Sequence, residues 1–448
     1  MDSGDTAWML VSSALVMLMT PGLALFYGGL TRSKNVLGTI MQSFIMLGVI
    51  SLQWAIIGYT LAFGPDQGGI IGNLDFAFLK DVSPSAPGPF AATVPHQTFM
   101  IFQMMFAIIT PALITGAFAE RAKFSTFLVF MVLWATLVYD PVAHWVWGGG
   151  FLGLADLGAL DFAGGTVVHI NAGVAALVAA VLYGKRHGFG REPMEPHDVT
   201  MVVVGAALLW FGWFGFNAGS ALSALGAAGE NDTFTLTASN AFTVTHIATA
   251  TAAVVWAGLS WLVSGKPSVV GAAAGAVAGL VAITPASGFV SPMASIAIGA
   301  GAGSLCYFAV RLRARSSLDD SLDVVGVHGV GGAWGALATG LFASAAYGGF
   351  DGLFFGDAEQ FGKQAIAVGV TILYSGVMTL IILKVLDVVM GLRVSEDEEL
   401  VGLDASQHGE RAYVLDGGAP YAGIPVSPET PAAYAPAATT TPSQAPSA

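Results

Sequence analysis

Cysteine is all but missing from these 448 residues: Cys306 stands alone. That excludes a disulfide scaffold and any paired-cysteine redox or zinc motif. Charge is scarce as well. Asp, Glu, Lys and Arg make up 10% of the chain, where soluble domains run near a quarter, too little to cover a soluble surface of this size. Basic residues are the scarcest, 16 against 29 acidic ones, and a net charge of −13 is the opposite of a nucleic-acid footprint. What is present is apolar: 55% of residues are hydrophobic and a further 58 are glycine, with a mean hydropathy of +0.71. The chain reads as an all-α polytopic membrane protein, in contact with membrane lipid and with no nucleic-acid partner.

A helix that crosses a bilayer needs about 20 mostly apolar residues. Eleven such stretches are expected, centred near Val16, Leu47, Ala107, Leu133, Ala172, Leu208, Ala252, Gly275, Ala300, Ala333 and Gly376. Met1–Asp5 has two acids and no basic residue, which is the wrong start for a signal peptide. With eleven spans, one side of the membrane collects Arg32, Lys34, Arg121, Lys123, Lys185, Arg186, Arg191, Lys266, the Arg311–Arg313–Arg315 run, Lys384, Arg393 and Arg411. Only Lys80 and Lys363 of the 16 basic residues fall on the other. Basic loops stay inside, so the expected topology is N-terminus out and C-terminus in, in the plasma (inner) cell membrane. The outer segments then hold acids that include Asp66, Asp75, Asp81, Asp140, Asp156, Asp161, Glu230, Asp232, Asp351, Asp357 and Glu359. A negative mouth would concentrate a cation, although acidic loops are also common without a role.

The first and sixth expected spans share related punctuation, Phe26-Tyr27-Gly28-Gly29 and Phe214-Gly215-Phe216-Asn217-Ala218-Gly219. The fifth and tenth each carry a histidine among glycines, in DFAGGTVVHINAG (Asp161 to Gly173) and LDVVGVHGVGG (Leu322 to Gly332). Five spans per half is an odd number, so a duplicated half would enter the membrane upside down. That gives two inverted five-helix repeats plus one C-terminal span, an arrangement whose substrate site lies between the repeats. Small-residue rows at Gly271, Gly275 and Gly279, at Gly299 and Gly303, and at Gly331 and Gly335 predict close helix packing.

Of the eight histidines, His96, His187, His197 and His408 are expected at the surface, and His144 and His246 as structural residues near helix ends or in outer-half positions. His169 and His328 lie well inside spans, where an ionisable group is costly enough to suggest function. Apolar surroundings disfavour an imidazolium, so both rings are expected neutral, able to share one hydrogen bond and still offer a donor and an acceptor to a small guest. Two unrelated packed histidines are the plainer alternative; no further ligands accompany them for a metal or haem, so no metal and no cofactor is expected. Asp161, expected as the first residue of the fifth helix, fits an N-cap and also a charge that supports a cation above the pore. Trp147, Phe106 and Phe216 offer aromatic faces, the one apolar surface that attracts a cation, and Ser220 a hydroxyl acceptor.

DFAGGTVVHINAG, GWFGFNAGSA, AITPASGFV and DVVGVHGVGG, in this order, resemble the ammonium transporter family (Amt/MEP/Rh) from about Asp5 to Ala422. The resemblance implies a transporter rather than an enzyme, assembled as a homotrimer with one pore per subunit. It implies that Phe106, Trp147 and Ser220 recruit ammonium with Asp161 in support, that Phe106 and Phe216 gate the pore, and that His169 and His328 line it. NH4+ would be deprotonated below the gate and NH3 conducted. The nearest alternative is a Rh-like neutral gas (NH3/CO2) channel, and a more distant one an amine or amino-acid secondary transporter. Residues 1–391 form the expected transmembrane domain. Residues 392–426 resemble a cytoplasmic regulatory tail, which in relatives packs on the loops of neighbouring subunits and helps a PII-type signalling protein to dock. Residues 427–448, rich in Pro, Ala and Thr, are expected to be disordered.

Overall fold

The computed structural model describes residues 1–224 and 238–413; Glu230, Asp232 and the terminus 427–448 lie outside the described residues. Among those described, nine helices are long and apolar enough to cross a membrane: Ser3–Leu30, Ser33–Phe63, His96–Ala117, Phe124–Trp147, Gly165–Tyr183, Val199–Gly219, Ala238–Ser264, Pro292–Ala314 and Ala358–Met390. The two remaining expected spans are present as shorter helices, Val269–Ile283 and a π-helical turn Val325–Val330 that continues as Gly331–Phe342. Counted in chain order, these eleven helices are called the first to the eleventh below. At 15 residues the eighth spans only about 22 Å, short of a hydrocarbon core. The connection between the second and third helices is not wholly irregular. It forms two small antiparallel hairpins, Asp66–Gln67 with Ile71–Gly72 and Pro87–Gly88 with Ala91–Pro95.

Lipid supplies no hydrogen bonds, so each helix satisfies its own backbone and packs by shape. Large apolar side chains such as Val254, Leu312 and Val388 face outward, as a lipid-facing surface requires. Close packing rests on small residues: a Cβ added to Gly299 in the ninth helix would sit 2.3 Å from the Ala248 carbonyl oxygen of the seventh. The fifth and tenth helices both begin with a π-helical turn, Gly165–Ile170 and Val325–Val330, and each turn contains one of the two intramembrane histidines. This matched irregularity accords with the internal repeat that the glycine-histidine motifs suggest.

Two expected surface placements are corrected. His96 is 3% exposed and its Nε2 lies 2.5 Å from the Tyr59 hydroxyl, because the hairpin that precedes the third helix folds over its first turn. Asp140 is not at a mouth: it lies inside the fourth helix, fully buried, and accepts from Gln53 Nε2 of the second helix at 2.8 Å. A buried carboxyl in an apolar bundle needs such a donor.

Charge concentrates at the face that carries the tail. Glu120, 1% exposed, accepts from Arg32 N at 3.0 Å, Arg32 Nε, Asn35 Nδ2 at 3.1 Å and Arg186 Nη1 at 3.4 Å. Arg186 also grips Asp319, with Nη2 to Oδ1 at 2.8 Å. Burial alone would raise the Asp319 carboxyl, but the Arg186 guanidinium bonded to it outweighs that and holds it below the usual range. The tail joins this network. Arg393 Nη2 donates to Glu399 Oε2 at 2.6 Å, the Lys34 ammonium donates to the carbonyl of Leu400 at 2.8 Å, and Gly38 N donates to Asp404 Oδ1 at 2.8 Å. Two short helices, Glu396–Val401 and Leu403–His408, thus lie on the chain's own loops, the first started by a Ser395–Glu398 capping box.

Removing one partner from a buried ion pair strands the other. Glu120→Ala is expected to lower stability by about 3–5 kcal/mol, read as a lower melting temperature of the purified protein. A depressed carboxyl stabilises above its unfolded value, and that contribution is lost as pH falls through the folded one. The stability gap between wild type and Asp319→Asn should therefore stay constant above the ordinary carboxylate range, about pH 4, and close only in stronger acid. A gap that closes near neutrality would contradict this.

Candidate functional site

The site is built where the third, fourth, fifth, sixth and tenth helices meet. At the end away from the tail is a vestibule of about 380 Å³, lined by Phe106, Trp147, Asp161 and Ser220 among others. Its walls also include Phe63, Phe90, Phe99, Gln103, Phe162 and Phe289. None of these six carries a sequence signal of its own, because a phenylalanine or glutamine in an apolar span or loop looks the same whether it lines a cavity or packs. The floor is closed by Phe106, whose ring lies 4.2 Å centroid to centroid from that of Phe216 at an interplanar angle of 32°. Trp147 stands edge-on to Phe106 at 5.9 Å and 86°. Ser220 Oγ donates its proton to the Phe216 carbonyl at 2.9 Å, so its lone pairs remain free to accept.

Asp161 is not the first residue of the fifth helix. It sits in the preceding loop, and Gly164 at φ +117° turns the chain so that the carboxyl group reaches back over the helix start at Gly165. One oxygen accepts from Gly164 N at 2.8 Å and Gly165 N at 2.6 Å. The other accepts from Thr166 N at 2.8 Å and from the Thr166 hydroxyl. These are the N–H groups that a helix start leaves without partners, and the negative group also suits the positive end of the helix dipole. The backbone carbonyl of Asp161 meanwhile accepts from Trp147 Nε1 at 2.8 Å. Asp161 therefore fixes both the indole in the vestibule and the helix that carries the first histidine.

Below the phenylalanine pair, His169 and His328 face each other with their Nδ1 atoms 3.3 Å apart, at 1% and 3% exposure. Two neutral rings share that proton only as opposite tautomers. One then carries Nδ1–H and a bare Nε2, the other an Nε2–H. Their approach depends on glycine. A Cβ on Gly173, four residues after His169, would lie 2.3 Å from Gly329 N, and one on Gly332, four after His328, would lie 2.9 Å from His169 Cβ. The His169 ring stacks on Trp213 at 5.4 Å and 22°. Trp213 and Phe216 occur three residues apart in GWFGFNAG, on one face of the sixth helix, and that spacing is the signal that would have added Trp213 to the site.

Among the described residues no group of three or more His, Cys, Asp or Glu side chains is arranged to hold a metal ion. The expected site residues thus form one column: Trp147, Ser220 and the Asp161 loop at the vestibule, Phe106 over Phe216, then the histidine pair.

Residues 7–413 match the Ammonium Transporter Family. The chain is 50% identical to an ammonium transporter of Bacillus subtilis over 416 residues, 92% of this chain and 99% of that one. Its fold is similar to the crystal structure of Candida albicans Mep2, with a TM-score of 0.82, 38% identity, and coverage of 96% and 95% of the two chains. It is also similar to a solved structure described as a sensor Amt protein, with a TM-score of 0.81, 29% identity, and coverage of 90% and 98%. The chain belongs to the ammonium transporter family.

Proposed function

We propose that this protein recruits NH4+ at the vestibule, removes a proton beneath the phenylalanine gate and conducts NH3 past the two histidines. The observation that carries the reading is the column itself, an aromatic mouth above a closed ring pair above two facing imidazoles. In the vestibule the faces of Trp147 and Phe106 stabilise a cation by about 0.5–2 kcal/mol each, and Ser220 accepts one N–H. Asp161 acts from behind by holding the indole. An ammonium ion and a potassium ion have equal charge and similar size, so the mouth alone separates them poorly. Deprotonation separates them, because only NH4+ yields a neutral molecule that crosses a lumen without charge. The proton leaves NH4+ for the bare ring nitrogen of the histidine pair, which relays it separately from NH3 and returns to the neutral state that offers NH3 a bare nitrogen and an N–H.

The vestibule face is taken as the outer one and the tail face as cytoplasmic, supported by the basic residues gathered beside the tail. The full count of eleven spans in two inverted halves is supported by the matched π-turns and by the short eighth and tenth helices in the expected places. Assembly as a homotrimer in the cell membrane is supported by His246. It is exposed on the seventh helix with its ring 5.3 Å from that of Trp210, and an imidazole facing lipid is unfavourable unless a neighbour covers it. The tail and basic loops of the cytoplasmic face are the proposed docking ground for a PII-type signalling protein.

Replacing His169 or His328 by Ala is expected to abolish selective ammonium uptake in proteoliposomes. Wild-type flux with NH4+ still preferred over K+ in either variant would refute the histidine role. Trp147→Leu is expected to raise the half-saturating ammonium concentration by about 2- to 30-fold, the equivalent of one cation–π contact. An unchanged concentration dependence would remove Trp147 from the recruitment site.

A further inference from the structure

The eleventh helix lies outside both halves of the repeat, yet it places polar side chains in the interior. Gln360 and Gln364 are 3% and 2% exposed and stand one turn apart on one face. Burying two amides among apolar helices is costly unless each is fully bonded. Gln364 Oε1 accepts from Leu160 N at 2.6 Å, while its Nε2 donates to Leu160 O at 2.7 Å and to Ala336 O at 3.0 Å. Gln360 Nε2 donates to Gly158 O at 3.0 Å and also reaches Gln364 Oε1 at 3.3 Å. Gly340 of the tenth helix allows the close fit, since a Cβ there would lie 2.9 Å from Gln364 Cγ.

The partners decide the meaning. Leu160 is the residue before Asp161, whose carbonyl holds Trp147 and whose carboxyl group starts the His169 helix. Ala336 lies two turns beyond His328 on the tenth helix. One side chain thus ties the vestibule loop to the helix of the second histidine, and holds both to the eleventh helix. A single apolar residue would fill the same space without fixing any of these distances.

We propose that Gln364 is a positioning residue for recruitment, with Gln360 as its support: the glutamine pair sets the place of the Asp161 loop, and through it Trp147, relative to the histidine lumen. The proposal rests on the reading of the vestibule given above. A purely structural role would lower the amount of working protein, and so the maximal rate. A positioning role moves the concentration dependence.

The test is methylammonium uptake into proteoliposomes by purified full-length protein, with Gln364→Leu, Gln364→Glu and Trp147→Leu measured side by side. Gln364→Glu keeps the shape but can donate at most one of the two bonds, and none when ionised. Both Gln364 variants are expected to raise the half-saturating concentration on the order of 10-fold, the scale of a small misplacement of a binding group, with a smaller change in maximal rate. If Gln364→Leu does not fold, Gln364→Glu and Gln360→Leu carry the same reading, Gln360→Leu with a smaller shift. An unchanged half-saturation in folded Gln364→Glu overturns the proposal. If Trp147→Leu shifts the curve while the Gln364 variants do not, only the clamp is refuted. If Trp147→Leu also leaves it unchanged, the recruitment reading falls with it.

Discussion

Everything in this structure is subordinate to keeping two imidazoles face to face in an apolar bundle. The pair requires the fifth and tenth helices to approach until backbone meets backbone, and glycine is the only residue that permits this at Gly173, where a Cβ would lie 2.3 Å from Gly329 N. The two helices pass each other antiparallel, Gly173 against Gly329 and Gly332 against His169, and each carries its histidine in the π-helical turn at its start. Such turns widen the helix by one residue and recur at functional sites. Here they aim the rings inward.

The remaining architecture separates charge from that centre. At the vestibule, Asp161 lends its carboxyl group to helix N–H donors and only its carbonyl to the indole, so the open surface there is mainly aromatic. At the opposite face, Glu120, Arg186 and Asp319 bind the loops to one another and, through Arg393 and Glu399, to the tail. Between the two faces the column itself uses rings and one hydroxyl. The net charge of −13 is therefore a property of the ends and the tail, while the Phe106, Phe216, His169 and His328 column holds no acid, lysine or arginine.

Much of the fold was legible in the chain because lipid imposes a simple rule of about 20 apolar residues per crossing. The rule fails where helices are shielded by others, and it was too strict for the eighth and tenth helices. Most of the site was legible too, since histidines and glycines in apolar helices have few structural excuses. Gln360, Gln364 and Gln103 were not. A glutamine in a span carries no periodic signal that distinguishes packing from positioning, and only the partners reveal the difference. Asp140 and His96 were misplaced for the related reason that sequence locates a residue along the chain and not beneath a hairpin or beside another helix.

By itself the sequence determined the membrane-embedded helices, the bias of basic residues to one face, the paired histidine motifs and the scarcity of charge between them. These follow from local composition, because each helix must satisfy its own backbone in lipid. Tertiary structure alone decided that the two Nδ1 atoms lie 3.3 Å apart and that Asp161 precedes its helix rather than starting it. It alone decided that a glutamine of the eleventh helix holds the vestibule loop. Those outcomes depend on contacts between segments up to about 200 residues apart in the chain, and no local pattern encodes them.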